Sequence, residues 1–357
     1  MAINGDNNDN ILFDTPGNDV MNGLAGNDSL YGGLGNDTVN GDAGNDVVIG
    51  SWGNDTLRGG SGDDIIGFSS THDEIGDDFI DGGSGNDRIY AGTGSDIAYG
   101  GLGGDTVHGG ADNDFLFGGV AVDASTNDPD TGNDRLYGEA GNDFMRGGAG
   151  NDLMYGGIGN DEMYGDLGND TMIGDEGNDL MRGGNGNDDL IGGANDDTLY
   201  GEDGADFLYG GDGNDVLHGG SDADVLLGQF GNDTLVGGIN NDRLNGFGTS
   251  ASAVSQFDNL YGGLNSDTFI LGGSWGTSYF EPGDGYAVIH DWNSLQDFIE
   301  VNGTAANIDL VFNSVAGIGG GALDTEIFFT DAGGTRDRIA ILKDTTAVSV
   351  NQDFIFV

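Results

Sequence analysis

Along most of this chain an apolar side chain returns at every ninth position, and the residues between are dominated by glycine, aspartate and asparagine. The stretch GGAGNDLMYGGIGNDEMYGDLGND, residues 147–170, shows the unit: Gly-Gly-x-Gly-x-Asp-x-U-x, with U apolar. About 27 copies fit between Asn4 and Ile270. The U position runs from Ile11 through Met154 and Leu226 to Phe269, so one residue in nine is expected to point inward. The x-U-x tail alternates as a short strand with U on the buried face. The preceding Gly-Gly-x-Gly-x-Asp reads as a turn, because glycine takes left-handed backbone angles and tolerates close approach. Strand, turn, strand, turn closes one coil of a flattened solenoid, which stacks residue i over residue i+18. At about 4.8 Å per strand this predicts an all-β parallel solenoid of about 13 coils, a rod on the order of 60 Å long.

Composition adds an ion to this picture. The 357 residues include 74 glycines and only 3 prolines, with 62 acidic side chains against 9 basic ones and a net charge of −53. Such a charge repels nucleic acid and anionic membranes and opposes compaction, so a cation is expected as part of the native state. A glycine-rich acidic chain is often disordered, but a 36% hydrophobic content placed in strict register argues against that. With no cysteine, disulfides and thiolate metal sites are excluded, and any metal must be held by oxygen. The opening MAINGDNNDNILFD lacks a basic segment followed by an apolar run, so no cleavable signal is expected. No apolar run approaches the roughly 18 residues of a membrane span.

The candidate ligands are the sixth-position aspartates. After Asp9 these are Asp19, Asp28, Asp37, Asp46, Asp55, Asp64, Asp78, Asp87, Asp96, Asp105 and Asp114, then Asp134, Asp143, Asp152, Asp161, Asp170, Asp179, Asp188, Asp197, Asp206, Asp215, Asp224, Asp233 and Asp242, and finally Asp258 and Asp267. Stacking puts Asp134 over Asp152 and Asp143 over Asp161, and two bare carboxylates held so close repel. A hard divalent cation reverses the sign. Calcium takes six to eight oxygens in a flexible shell, and unshielded turn carbonyls can complete it, whereas magnesium demands stricter geometry.

An in-register array of this nonapeptide resembles the RTX (repeats-in-toxin) family, whose repeats are known as calcium-binding β-structures. The resemblance covers about three quarters of the chain and implies a right-handed parallel β-roll (β-helix). It also implies Ca²⁺ between successive turns on each edge, held by aspartate side chains and turn carbonyls. Carried over, the strongest sites lie in the unbroken run, at pairs such as Asp152 with Asp170 and Asp197 with Asp215. The turn glycines Gly147, Gly150, Gly156, Gly159, Gly165, Gly168, Gly174 and Gly177 are the matching carbonyl donors there. Counting i, i+18 pairs gives on the order of 20 ions. Asp112, Asn195, Asp222, Asn240 and Asn265 replace the fourth-position glycine. Asn and Asp tolerate the left-handed region, so these sites are expected to be weakened and not lost.

Three stretches break the register, Phe68 to His72, Val120 to Thr131 and Phe247 to Ser255, and read as loops bulging from an edge. The β-roll is assigned to residues 1–270. Residues 271–357 read as a small antiparallel β cap, because glycine thins and apolar residues alternate between Gly/Asp turns. Such a cap covers the open edge of the last coil. In the family a comparable region carries an uncleaved type I secretion signal, and the final Asp353-Phe354-Ile355-Phe356-Val357 looks like its ending. The resemblance thus implies the type I secretion machinery as a partner and an extracellular or cell-surface location. Where calcium is scarce the chain would stay unfolded and exportable; outside, even millimolar-class sites would fill.

Catalysis finds little support. His72, His108, His218 and His290 form no His-Glu-x-x-His, and His108 and His218 read as exposed strand residues. Gly272-Gly273-Ser274-Trp275-Gly276, followed by Asp284 and His290, matches a lipase-like order, but no strand-to-helix elbow is expected nearby. Nine of the eleven tyrosines, among them Tyr137, Tyr155, Tyr164, Tyr200 and Tyr209, take the outward ninth position, which suits strands and could also meet a glycan. Met145, Met154, Met163, Met172 and Met181 occupy successive core positions, as filler more than as a soft-metal site. A regular threonine ladder, as an ice-binding solenoid would want, is missing. The sequence therefore points to a secreted, non-enzymatic, calcium-folded β-roll acting as a rigid structural or adhesive element. The alternatives are a polysaccharide- or surface-binding module and a detached accessory module of an RTX enzyme or toxin.

Overall fold

The computed structural model describes residues 1–68, 75–120, 130–247, 256–271, 286–293, 295–301, 308–313, 324–330, 336–343, 345, 348 and 353–356. It resolves into two compact units, Met1–Gly186 and Asn187–Val357. Every regular element among the described residues is a β-strand.

In the first unit the strands are longer than the three residues the repeat suggested. Typical examples are Leu153–Ile158 and Glu162–Leu167, with the pattern half-buried, buried, half-buried, buried, half-buried, exposed. The strand therefore runs through x-U-x into the first three positions of the next repeat, and two residues per strand face inward: U and the first glycine. That glycine is small because the edge beside it is filled by a carboxylate. The kink needed to stay in the ladder falls on the next residue, left-handed at Gly157 (φ 109°) and Asp166 (φ 74°).

Alternate strands pair in parallel. Leu136 aligns with Met154 and Met172 in one sheet, and Leu116 with Met145, Met163 and Met181 in the other. These side chains are fully buried, so the methionine row is core filler as expected. The expected interruptions leave the stack intact, since Thr56–Ser61 still pairs with Phe79–Ser84 and Thr106–Ala111 with Arg135–Ala140. Most of residues 68–72 and 120–131 lies outside the described residues.

The first rung corrects the register. Leu12, not Ile11, aligns with Leu30, and Ile11 and Phe13 are 68% and 67% exposed. Asn10, not Asp9, holds the sixth position, its N–H donating to Asp28 Oδ1 at 2.6 Å. Nine residues back from Asp19 is Asn10, so the spacing decides where the composition DNNDN could not.

The second unit carries the same rungs from Asp189–Ala194 to Thr268–Ile270. Most of its interruption, residues 248–255, lies outside the described residues, and Thr234–Ile239 still pairs with Phe257–Leu264. Beyond residue 270 the expected antiparallel strands are present: Ile308–Asn313, Asp324–Thr330 and Arg336–Leu342. Parallel rungs also continue there without the nonapeptide. Phe257–Leu264 is followed by Tyr286–Ile289 and then Arg336–Leu342, and Thr268–Ile270 by Phe298–Val301 and then Phe354–Phe356. A rung needs an inward apolar residue at the right height, here Ile289, Ile299, Leu342 or Phe354, and longer connections can replace the glycine turn.

Candidate metal centres

One repeat shows how an edge is built. Gly156 faces inward, Gly159 makes the turn with φ 142°, and Asp161 folds back under the edge at 2% exposure. The Asp143 N–H donates to Asp161 Oδ1 at 2.8 Å, while Asp161 Oδ2 is buried with no hydrogen-bond partner. A Cβ at Gly156 would collide with that Oδ2 and with the Gly174 carbonyl oxygen, and one at Gly159 would strike the Gly141 carbonyl. Glycine is therefore required at both positions, and anionic and carbonyl oxygens converge on the space it leaves.

The unit repeats along both edges. In one column of the first unit each aspartate N–H reaches the next carboxylate, from Asp28 through Asp46, Asp64, Asp87, Asp105, Asp134 and Asp152 to Asp170. The other runs from Asp19 through Asp37, Asp55, Asp78, Asp96, Asp114, Asp143 and Asp161 to Asp179. The second unit shows Asp188 to Asp206, Asp224, Asp242 and Asp267 and Asp197 to Asp215, Asp233 and Asp258. All of them are buried. Oδ2 lacks a partner at Asp28, Asp37, Asp46, Asp55, Asp64, Asp78, Asp87, Asp96, Asp105, Asp114, Asp134, Asp143, Asp152 and Asp161, and at Asp206, Asp215, Asp224, Asp233 and Asp242. Gly147 and Gly165 repeat the Gly156 contact with Asp152 and Asp170, and Gly150, Gly168 and Gly177 repeat the left-handed turn. Asp112, Asn195, Asp222, Asn240 and Asn265 all adopt that turn too, with φ between 73° and 87°.

Burial dominates the electrostatics. It pushes the Asp134 carboxyl up to about 8; the Asp105 N–H pulls the other way, and Asp152 and Asp105 add like-charge repulsion. Burial likewise raises Asp96, Asp224 and Asp233 to about 8 and Asp78, Asp105, Asp206 and Asp215 to about 7. A buried anionic oxygen with no donor is costly unless paired or metal-bound. The donors present, carboxylate and carbonyl oxygen without nitrogen or sulfur, fit a hard cation of the calcium type. We expect Gly156→Ala to destabilise the calcium-loaded chain by about 1–3 kcal/mol through overpacking and to lower calcium affinity, read by thermal melts in excess and in limiting calcium. Glu162→Ala, on the outward neighbour of Met163, should leave both unchanged.

Some carboxylates at the edges fall outside the nonapeptide pattern. Asp14 stands at a first-glycine position beside Asp19 and Asp37. Asp130 accepts the Gly103 and Gly132 N–H groups at 2.9 and 3.0 Å, replacing with a side chain the carbonyl that a regular turn supplies. Asp297 continues a column past the nonapeptides, taking the Asp267 N–H at 3.2 Å, but its Oδ2 is satisfied by the Asn293 N–H at 2.7 Å. A residue count from the neighbouring aspartate would have found the first; the other two follow loops whose length no periodicity sets.

The outward tyrosines form ladders. Tyr90, His108, Tyr137 and Tyr155 stack at 4.9, 4.6 and 5.3 Å with nearly parallel rings, and Tyr200 stacks on His218 at 4.9 Å. Ring faces are therefore spent on neighbours, leaving mainly edges for any partner. His290 stacks on Tyr261 at 4.3 Å, its Nε2 2.9 Å from Asn259 Oδ1. His72 and the lipase-like residues Gly272 to Gly276 and Asp284 lie outside the described residues.

A family model described as RTX calcium-binding nonapeptide repeat (4 copies) matches residues 4–39, 34–66, 72–98, 90–123, 129–163, 155–190, 164–199, 182–217, 191–226 and 218–246. No curated protein matches the chain. Among solved structures, the solution structure of the AlgE6R3 subunit from the Azotobacter vinelandii mannuronan C5-epimerase is similar at 24% identity, covering 48% of this chain and 78% of that one, with a TM-score of 0.19.

Proposed function

The chain belongs to the family of RTX calcium-binding nonapeptide repeats, and from that membership we propose that it is a secreted, non-enzymatic β-roll in which calcium is a structural component. The observation that supports this reading most is the pair of edge columns in each unit, where buried Oδ2 atoms recur without a hydrogen-bond partner. In this reading the aspartates from Asp28 to Asp242 hold the ions, and the turn glycines lend carbonyl oxygens. The ion's contribution is to cancel carboxylate repulsion and join successive rungs. The chain's own residues do the rest: the U side chains fill the core, the glycines admit the oxygens, and the aspartate N–H groups orient each carboxylate.

In this reading the joined stack serves as a rigid extracellular or cell-surface element, and type I export is the route consistent with a chain that folds only where calcium is plentiful. The Phe354–Phe356 strand pairs with Phe298–Val301, so in this reading a signal carried by this segment would be an open chain before folding and held in the sheet after it. A polysaccharide or surface layer remains the partner class for the adhesive form of this reading, though the stacked tyrosines offer it little free ring face. Equilibrium dialysis against calcium tests the proposal. We expect on the order of 20 ions per chain, and binding of only one or two would sink it.

A further inference from the structure

At the N-terminal end of the first unit the edge pattern is broken in a way that adds a ligand. Other repeats carry glycine at their first position, as at Gly23, Gly32 and Gly41, where this repeat has Asp14. That position faces the edge interior, since a Cβ at Gly23 would collide with Asp28 Oδ2. At residue 14 a side chain does stand there, and carboxylate oxygens of Asp14, Asp19 and Asp37 lie within 4.8 Å of one another. Asp37 is 3% exposed, and its Oδ2, like that of Asp14, has no hydrogen-bond partner. The surrounding contacts leave these two oxygens open. Asp37 Oδ1 takes the Asp19 N–H at 2.7 Å, Asp19 Oδ2 accepts from the Thr15 N–H and hydroxyl at 3.0 and 2.8 Å, and Asp19 Oδ1 pairs with the Met1 ammonium.

We propose that Asp14 is a third carboxylate ligand of one calcium ion held with Asp37 and with Asp19, where the ion takes the place of the Met1 ammonium on Oδ1, and that this end site is tighter than the regular two-carboxylate sites. The proposal rests on the reading that the edge columns hold calcium. Affinity in oxygen-donor sites follows the number of charged ligands, and a third carboxylate supplies both charge and an oxygen that water would otherwise provide. The position gives the extra ligand a purpose. The rung formed by Ala2–Asn4 and Ile11–Phe13 leaves Ile11 and Phe13 exposed, and the opposite column has the neutral Asn10 at this level, so this rung buries less apolar surface and carries one carboxylate fewer than those that follow. An ion bound first here pins that rung before the others load.

Asp14→Gly tests this without threatening the fold, because glycine is what other repeats carry at that position. Hydrogen exchange on the full chain, read by mass spectrometry across a series of free calcium concentrations, would compare amides 19–39 with amides 143–161. In the unaltered chain the first segment should become protected at about tenfold lower calcium or less, and Asp14→Gly should bring its midpoint to that of the second. Asp14→Asn, which keeps an oxygen but removes the charge, should fall between. Coincident midpoints in the unaltered chain, or a midpoint that Asp14→Gly does not move, would overturn the proposal. If neither segment responds to calcium, the edge-column reading fails first and takes this one with it.

Discussion

Excess chelator at neutral pH should abolish most of the β-sheet circular dichroism of this chain, and returning calcium should restore it. Each nonapeptide contributes one buried apolar side chain, worth roughly 1.5–3 kcal/mol, and one buried carboxylate. Leaving that carboxylate ionised and uncompensated costs several kcal/mol. The two nearly cancel before any backbone ordering is counted, at roughly 1–2 kcal/mol per residue and more for glycine. The sign of each repeat's contribution is therefore set by the cation. Where a site exists only in the folded state, the binding free energy is folding free energy, so within each stretch of rungs loading and folding should coincide. Full β-structure persisting in chelator at neutral pH would show that the core and hydrogen bonds suffice alone.

What is legible in the sequence is what a single period sets. The U column and the aspartate columns were legible because each obeys one period: Leu136, Met154 and Met172 align as i, i+18 predicts, and so do Asp134 and Asp152. The substituted turn at Asn195 was legible because one backbone angle decides it. The first rung was not, because in DNNDN every candidate residue is polar and the ten-residue gap from Asp9 to Asp19 hides the slip. The inward first glycine escaped because hydrophobic patterning cannot register a residue whose role is to leave room. The rungs at Tyr286–Ile289 and Phe298–Val301 escaped because their register is set by pairing with the rung before them, not by any repeat of their own.

Acid should partly replace calcium. In the metal-free folded chain, burial raises Asp96, Asp134, Asp224 and Asp233 to about 8 from an ordinary value of 3.8, so between those limits the folded state binds more protons than the unfolded one. Stability must then fall as pH rises through this window, and it is fully present only below the unfolded value. For a carboxyl at about 8 the loss between pH 4 and pH 7 is roughly 4 kcal/mol, and many sites share it. A proton also removes the repulsion along each column, as calcium would, though it cannot bridge two rungs. We therefore expect the chelated chain, unfolded at pH 7.5, to regain β-sheet circular dichroism as it is titrated toward pH 4, with light scattering run in parallel to separate folding from association. Calcium affinity should decline over the same interval, because protons and calcium compete for the same oxygens. A metal-free chain equally unfolded at both pH values would mean that these carboxylates are not what opposes folding, and the burden would pass to the backbone entropy of its glycines.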